Sequence, residues 1–217
     1  MCRDLARFLG LRCAYFLSAK SFVSSSVTST SACYVDCCRA EAASGFTYKT
    51  RADWNARPPT AKAATLATPV QYIVIQHTVE EPCFSPKACA KRTRFIQDLH
   101  MDVNGWLDIG YNFLVGGDGT ALEGRGWSSV GAFLKGWNKK SIGVVLIGTF
   151  VEVQPTEAQM TALRELIEQG VTLGKVRADY KVVAACELAE TRSPGTAALA
   201  ALKKWDHWWD TGVDHCN

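Results

Sequence analysis

The chain has 217 residues, of which 47% are hydrophobic, and its formal net charge is +3 at pH 7. This length suits one domain with a full apolar core plus a tail, and the composition is that of a globular protein. The mild charge and the lack of a polybasic run argue against nucleic acid or an anionic membrane as the main partner. No apolar stretch approaches the roughly 20 residues that cross a bilayer, so no transmembrane segment is expected.

Residues 1–45 are expected to lie outside the folded domain, which we place at residues 46–217. An apolar stretch follows two early arginines, as in a signal peptide, but Arg12 interrupts it. A cleaved leader with a spacer is the favoured interpretation, and it implies a secreted, extracellular protein. The alternative is a disordered extension of a cytoplasmic protein.

The first predicted elements are a strand and a helix. Val70–Ile75 is a nearly continuous apolar and β-branched run, which predicts a strand covered on both faces. Ser85 is a suitable N-cap and Pro86 a suitable first helical residue. The helix that they begin is expected to end near Asn104 and Gly105. Its predicted inward side chains are Phe95, Ile96 and Leu99.

Cys83 and Cys89 lie directly before this helix. A disulfide between them would close a small loop and stabilise the fold by roughly 2 kcal/mol on chain-entropy grounds. Two free thiols are the alternative. We favour the disulfide, which implies an oxidising compartment.

A hairpin and a second buried strand are predicted next. Tyr111–Val115 and Thr120–Glu123 flank the glycine-rich turn GGDG, a pattern that predicts a β-hairpin. Ile142–Ile147 is another apolar run with β-branched residues, and it predicts a buried strand.

The last third of the chain is predicted to contain two helices and one short strand. Thr156 and Gln159 form a capping-box pattern at the start of one helix, and Gly174 is expected to end it. Residues 182–186 predict a short strand, and Ser193 is expected to cap the last helix. Together the elements predict an α/β fold: a single domain with a central mixed β-sheet flanked by about three helices.

Several motifs occur in order at fitting distances between residues 46 and 209. They are RADW at 51–54, HMDVNGWLDIGYNFLVGGDG at 100–119, EGRGW at 123–127 and GWNKKSIG at 136–143, together with the Cys83/Cys89 pair. In these motifs the chain resembles the peptidoglycan recognition proteins, which are similar to phage-type N-acetylmuramoyl-L-alanine amidases. The resemblance implies the amidase-like fold and a function in innate immune recognition of bacteria.

The resemblance also implies where a catalytic zinc would be held. Family members that cleave peptidoglycan bind zinc through two histidines and one cysteine, and these positions fall on Gln76, Ala185 and Ser193. None of the three side chains is a good zinc ligand, because zinc prefers imidazole and thiolate. Without zinc no water is activated, so we expect no catalytic residue, no metal, no cofactor and no amidase activity. Glu187 and Glu190 are interpreted as solvated surface charges rather than a metal-free acid/base pair.

Nine positions match ligand-contacting residues of the family and form the candidate binding site. They are His77, Thr78, His100, Gly105, Trp106, Tyr111, Arg125, Phe133 and Asn138. Phe133 stands where relatives usually have histidine, and Leu122 stands where they usually have tyrosine. Both departures bear on the pose of a ligand.

Arg125 and the dipeptide Gly105-Trp106 resemble residues of the members that bind peptidoglycan with meso-diaminopimelate. This third stem residue carries one carboxylate more than the lysine of the other peptidoglycan type. A guanidinium binds a carboxylate through two parallel hydrogen bonds, which an ammonium cannot do. The resemblance therefore implies a preference for the diaminopimelate type.

The expected function is that of a pattern-recognition receptor that binds bacterial peptidoglycan without cleaving it. Its expected partners are muropeptide fragments and, after ligand binding, a signalling protein or a second copy of the chain. Residual amidase activity is one rival function. The other is a regulatory decoy that binds related receptors instead of peptidoglycan.

Overall fold

The computed structural model describes residues 47–213, 215 and 216. These residues form an α/β domain with one six-stranded sheet and three α-helices, which confirms the predicted fold class. The expected extension at residues 1–45 lies outside the described residues, and its role stays a prediction. No helix in the described part is both long and apolar enough to cross a membrane.

The described residues contain six strands and three α-helices. In order they are β1 (Thr47–Lys49), β2 (Val70–His77), α1 (Pro86–Asp98), β3 (Phe113–Val115), β4 (Thr120–Glu123), β5 (Ser141–Leu146), α2 (Glu157–Thr172), β6 (Val176–Ala184) and α3 (Thr196–Leu202). Across the sheet the strands lie in the order β1-β4-β3-β5-β2-β6. The β3–β4 hairpin is antiparallel, whereas the other four pairings are parallel, so the sheet is mixed.

One face of the sheet packs against α2 and α3. Ile73 and Ile75 of β2 lie in one buried cluster with Leu163 and Leu166 of α2 and Leu202 of α3. Removing these aliphatic side chains from water is the main driving force for the fold.

The opposite face of the sheet is divided into two halves. α1 covers the half formed by β3 and β4, where Leu114 and Leu122 are fully buried. The half formed by β2 and β6 carries a small cluster around Val74 and Val183, which side chains of loops cover. Alternate residues of a strand point to opposite faces, so Gln76 shares this loop-covered face with Val74.

α1 begins where the sequence predicts. Ser85 Oγ accepts a hydrogen bond from the backbone N–H of Ala88 at 3.3 Å, and a π-helical turn over Leu99–Val103 extends the helix to Asn104. The predicted inward orientation of Phe95 and Leu99 is wrong, because their side chains are 49% and 37% exposed. The packed face instead carries Cys89, Thr93 and Ile96, which recur at helical spacing.

α2 is capped as predicted, but its capping box is incomplete. Thr156 Oγ1 accepts the backbone N–H of Gln159 at 3.0 Å. The side-chain amide of Gln159 does not return to the cap, because it donates to the carbonyl oxygens of Val115 at 2.7 Å and Ile147 at 3.3 Å. Gly174, with φ of +64°, follows the end of the helix as predicted. The start of α2 is thereby fixed to the ends of two neighbouring strands.

The last strand and the last helix begin at other residues than predicted. β6 already starts at Val176, well before the predicted strand of residues 182–186. α3 starts at Thr196, and its N-cap is Gly195, which makes no side-chain capping bond. Ser193 therefore does not cap this helix, because its hydroxyl is bonded to β2 instead.

Candidate functional site

The three positions at which the resemblance places zinc ligands, Gln76, Ala185 and Ser193, lie near the end of β2. Ser193 Oγ accepts the backbone N–H of His77, the neighbour of Gln76, at 2.9 Å. The carbonyl oxygen of Ser193 accepts the backbone N–H of Cys186, the neighbour of Ala185, at 2.8 Å. These two hydrogen bonds therefore hold the segment of residues 185–193 against the end of β2.

The side chains at these positions do not fit zinc. Gln76 Nε2 donates to the carbonyl oxygen of Phe133 at 3.3 Å, and Gln76 Oε1 is buried without a hydrogen-bond partner in the described part of the chain. Ala185 is fully buried and offers no donor atom. The described residues contain no group of three His, Cys, Asp or Glu side chains placed to hold a metal ion. The donor set is unsuited to zinc, which prefers imidazole and thiolate.

The expectation that Glu187 is a solvated surface charge is wrong. The residue is buried two positions after Ala185, and its Oε1 lies 3.9 Å from Lys203 Nζ. Glu190, in contrast, is exposed. The two carboxylates therefore have different surroundings.

A cleft of about 590 Å³ lies beside these positions. Trp106, 37% exposed, lines one side, and residues 130–136 with Asn138 and Lys139 line the rest. Two of the lining residues, Lys135 and Lys139, are cationic, and no acidic residue of the described part of the chain lines the cleft. The cleft is therefore suited to a ligand that combines apolar or sugar surfaces with negative charge.

Asn138 shapes the wall of this cleft. Its Oδ1 accepts the backbone N–H groups of Phe133 and Leu134, both at 2.9 Å. These two bonds hold the loop in which the Phe133 side chain packs against the cluster of Val74 and Ala185. Because Oδ1 is used within the protein, the Nδ2 amide is the group of Asn138 that remains to bind a ligand.

His100, Trp106 and Tyr111 form one aromatic group next to the cleft. The ring centroid of His100 lies 4.6 Å from that of Trp106 and 5.3 Å from that of Tyr111. Gly105, with φ of +69°, makes the turn that brings Trp106 back to His100. His100 Nδ1 accepts the backbone N–H of Gly110 at 3.0 Å, which fixes the ring.

Burial keeps two of these side chains uncharged near neutral pH. Desolvation, with the positive charge of Arg125, lowers the pKa of His100 to about 4. Desolvation raises the pKa of Tyr111 to about 12, so its phenol keeps the proton. This part of the site therefore offers neutral hydrogen-bonding groups and aromatic surface.

Arg125 is anchored behind the cleft by three backbone carbonyl groups. Its Nε donates to Ile109 O at 2.7 Å, its NH1 group to Val130 O at 2.9 Å and its NH2 group to Asp108 O at 3.4 Å. A guanidinium has five N–H groups, so two remain for a ligand. Burial lowers the pKa of Arg125, against the opposing effect of the Asp108 carboxylate.

The two candidates at the end of β2 are placed differently from the others. The His77 side chain points to the face covered by α2 and α3, where it is buried, contacts the ring of Phe150 and accepts the backbone N–H of Phe150 at 3.2 Å. Thr78 Oγ1 accepts the backbone N–H groups of Gly148 at 3.0 Å and Glu80 at 3.3 Å. Neither residue lines the cleft, which Trp106, Phe133 and Asn138 line directly.

Sequence reasoning missed two features that support the site. Asn112 donates to the carbonyl oxygens of Gly126 and Ser129 and accepts the N–H of Gly143, so it positions the segment that carries Arg125. A disulfide joins Cys186 to Cys216, in addition to the predicted disulfide between residues 83 and 89, which is confirmed. The spacing of polar residues around Asn112 gives no hint of its role, whereas the odd number of cysteines hid the second pairing.

Comparison with known proteins identifies the family. The family model for N-acetylmuramoyl-L-alanine amidase matches residues 66–196. Peptidoglycan-recognition protein SC2 of Drosophila simulans is 38% identical over 169 residues, which are 78% of this chain and 91% of that protein. The chain belongs to the peptidoglycan recognition protein family.

Solved structures of peptidoglycan recognition proteins show the same fold. The crystal structure of the ectodomain complex of peptidoglycan recognition proteins LCa and LCx with tracheal cytotoxin matches with a TM-score of 0.74 and 42% identity, over 76% of this chain and 99% of the other. Protein LE, in complex with tracheal cytotoxin, a monomeric diaminopimelic acid-type peptidoglycan, matches with a TM-score of 0.75 and 36% identity, over 76% and 98% of the two chains. The amidase-like architecture is thus shared across the described domain.

Proposed function

We propose that this peptidoglycan recognition protein binds muropeptides of the meso-diaminopimelate type in the cleft beside Trp106 and does not cleave them. One observation carries the proposal. At the end of β2, where the resemblance places three zinc ligands, Gln76, Ala185 and Ser193 form a hydrogen-bonded and apolar structure instead. The cleft next to them keeps aromatic, amide and cationic groups that suit a ligand.

The charge and the surface of the cleft support a muropeptide ligand. A muropeptide offers sugar faces, amides and several carboxylates. The Trp106 ring can stack on a sugar face, and the Asn138 amide can bind an amide group of the ligand. Lys135 and Lys139 supply positive charge for its carboxylates. Relatives LE, LCa and LCx were solved with tracheal cytotoxin, which supports the same ligand class here.

Arg125 is the residue proposed to recognise the diaminopimelate carboxylate. Its three bonds to carbonyl groups hold the guanidinium in one orientation before a ligand arrives, which lowers the entropic cost of binding. A hydrogen bond between charged groups contributes roughly 1.5–3 kcal/mol, or about ten- to a hundredfold in affinity. Lysine-type peptidoglycan lacks the carboxylate and would not gain this contribution.

The proposed place of action is outside the cell, in partnership with another receptor. Two disulfides in the described part of the chain suit an oxidising compartment. Relatives LCa and LCx form a complex through their ectodomains with tracheal cytotoxin bound. On this basis a signalling protein or a second copy of the chain is proposed as partner after ligand binding.

Isothermal titration with purified diaminopimelate-type and lysine-type muropeptides tests the binding proposal. We expect the diaminopimelate type to bind at least about tenfold more tightly. Arg125→Lys should remove most of this difference, because lysine cannot satisfy three carbonyl groups and a carboxylate together. Equal binding of both muropeptides by the wild type would contradict the proposed specificity.

Metal analysis and product analysis test the absence of amidase activity. After dialysis the protein should carry much less than one zinc per chain, and mass spectrometry should find no lactyl-peptide released from muropeptides. Stoichiometric zinc with product release would make the protein an amidase. Failure to bind any peptidoglycan, with retained binding to a related receptor, would make it a regulatory decoy.

A further inference from the structure

A second groove lies away from the cleft, beyond the end of β2. Its volume is about 400 Å³, within the range of cavities that hold ligands or partner side chains. It lies between the segment 79–84 that follows β2, the β3–β4 turn at Gly117 and the segment 149–156 that leads into α2. Neither Trp106 nor any residue of the cleft wall 130–139 lines it.

Three large apolar side chains meet solvent around this groove. Val79, Phe84 and Val153 are 66%, 64% and 67% exposed, and all three line the same cavity. Single exposed apolar residues are common on protein surfaces, but several that converge on one concave surface mark an interaction site. The arrangement is therefore unlike scattered surface hydrophobicity.

The backbone at Val79 is unfavourable for its residue type. Val79 has φ of +60°, a left-handed conformation that β-branched residues rarely adopt. Its N–H donates to Gly148 O at 3.1 Å, and the neighbouring Thr78 Oγ1 accepts the N–H of Gly148 at 3.0 Å. These bonds hold the backbone in this conformation and present the Val79 side chain at the groove.

The floor of the groove is also fixed by hydrogen bonds. Thr156 Oγ1 donates to Gly117 O at 2.7 Å, which joins the β3–β4 turn to the start of α2. Gln159, buried beneath it, donates to carbonyl oxygens at the ends of two strands. A preformed groove loses little conformational entropy when it binds a partner.

The charge around the groove is acidic. Glu80 and Glu81 line it, and among the described residues no lysine or arginine does. Arg92 pairs with Glu80 at 3.1 Å. In the described part of the chain no ion pair involves Glu81, or Glu152, an exposed residue that precedes the lining residue Val153 but does not itself line the groove. The groove is therefore opposite in charge to the cleft, which is lined by Lys135 and Lys139.

We propose that this groove, formed by residues 79–84 and 149–156 with Gly117, binds a segment of a partner protein that carries apolar side chains flanked by lysine or arginine. The apolar side chains would cover Val79, Phe84 and Val153, and the basic side chains would face Glu81 and Glu152. The small size of the groove suits a weak, transient contact. This surface goes beyond the proposed peptidoglycan binding and does not depend on it.

Synthetic amphipathic peptides provide the probe. Three labelled helical peptides share one leucine stripe and differ only in the polar face, which carries lysine, glutamine or glutamate. Fluorescence anisotropy with the full chain should give the order of affinity lysine, then glutamine, then glutamate, and the lysine peptide should lose affinity at 0.5 M salt, about the concentration at which surface charges are strongly screened. Equal binding of the glutamate peptide, or no binding of the lysine peptide, would overturn the proposal.

Substitutions at exposed positions locate the binding surface. Val153→Lys and Glu81→Lys should each lower the affinity for the lysine peptide about tenfold. The first removes apolar contact, and the second reverses a charge. Leu173→Lys is the matched control, since Leu173 is an exposed apolar residue at the other end of α2, and it should leave affinity unchanged. If Val153→Lys binds the peptide like the wild type, the groove is not the site.

Two further measurements separate this proposal from its rivals. The Val153→Lys variant should bind muropeptide like the wild type, so a failure of the groove and a failure of the cleft give different results. Sedimentation of the wild type alone tests for a second copy in the groove. Self-association that Val153→Lys abolishes would replace the proposed basic partner by a copy of this chain.

Discussion

The backbone N–H of His77 donates to the hydroxyl of Ser193 at 2.9 Å and joins the end of β2 to the segment before α3. Both residues are buried. In the amidases that the chain resembles, a zinc-binding thiolate is expected where this hydroxyl lies. The side chain has a structural function here, and that function can be measured.

Ser193→Ala should lower the free energy of unfolding by about 1–3 kcal/mol, because a buried N–H group loses its acceptor. Urea unfolding followed by tryptophan fluorescence measures the change. Ser128→Ala is the matched control, since Ser128 is exposed and should change stability by less than about 0.5 kcal/mol. Equal stability of both variants would mean that the bond to His77 contributes nothing.

Zinc ligands introduced at positions 76, 185 and 193 should create a metal site. The triple variant Gln76→His, Ala185→His and Ser193→Cys is expected to hold one zinc per chain after dialysis, because the three positions converge. The double variant that keeps Ala185 should hold much less. A folded triple variant without zinc, as judged by circular dichroism and metal analysis, would show that the positions do not lie close enough together.

Stability should fall as the pH falls below the usual pKa of histidine. Burial lowers the pKa of His100 to about 4, whereas the unfolded chain has the ordinary value near 6.5. The unfolded state therefore binds more protons between these values, and stability is lost as pH decreases through this window. From pH 7.5 to pH 5 the loss is about 2 kcal/mol from this group. Burial also lowers the pKa of His77, which adds a loss of the same sign.

The His100→Asn variant isolates this contribution. Asparagine can still accept the N–H of Gly110 through Oδ1 but does not titrate. Urea unfolding of both proteins at the two pH values should give a smaller decrease for the variant. If the free energy of unfolding decreases equally in the wild type and the variant, other groups cause the pH dependence.

The two disulfides should differ in their contribution to stability. Cys186 and Cys216 are 30 residues apart, and Cys83 and Cys89 are 6 residues apart. Because the entropy removed from the unfolded chain grows with loop length, loss of the longer loop should cost about 3–4 kcal/mol and loss of the shorter about 2 kcal/mol. Urea unfolding of the two paired Cys→Ser variants compares them. The reverse order would mean that effects on the folded state dominate.

Local patterns predicted the central elements because local chemistry determines them. The apolar run that starts at Val70 forms a strand, as predicted. Ser85 and Thr156 cap their helices as expected, and Pro86 is the first residue of α1. β1 escaped prediction because three residues carry too little periodicity. The direction of Phe95 was wrong, because the packing face of α1 is defined by the disulfide cysteine Cys89 and by polar side chains that hydrophobicity does not identify.

The candidate site was predictable only as a set of positions. The resemblance identified Trp106, Tyr111, Arg125 and Asn138, and these residues lie in or beside one cleft. It did not reveal that Ser193 is a hydrogen-bond acceptor for β2, because that role depends on a contact across more than 100 residues of chain. Successive residues of a strand point to opposite faces of the sheet, so the orientation of His77 depends on its register in β2. The motif alone does not give this register.

The left-handed backbone at Val79 has a practical consequence for engineering this protein. Glycine or asparagine would relax the main chain at that point, so a screen that selects only for heat resistance would favour them. Each such replacement would also erase one of the exposed aliphatic side chains. Variants chosen for robustness alone would thus lose the surface by which, on our proposal, the receptor meets its partner.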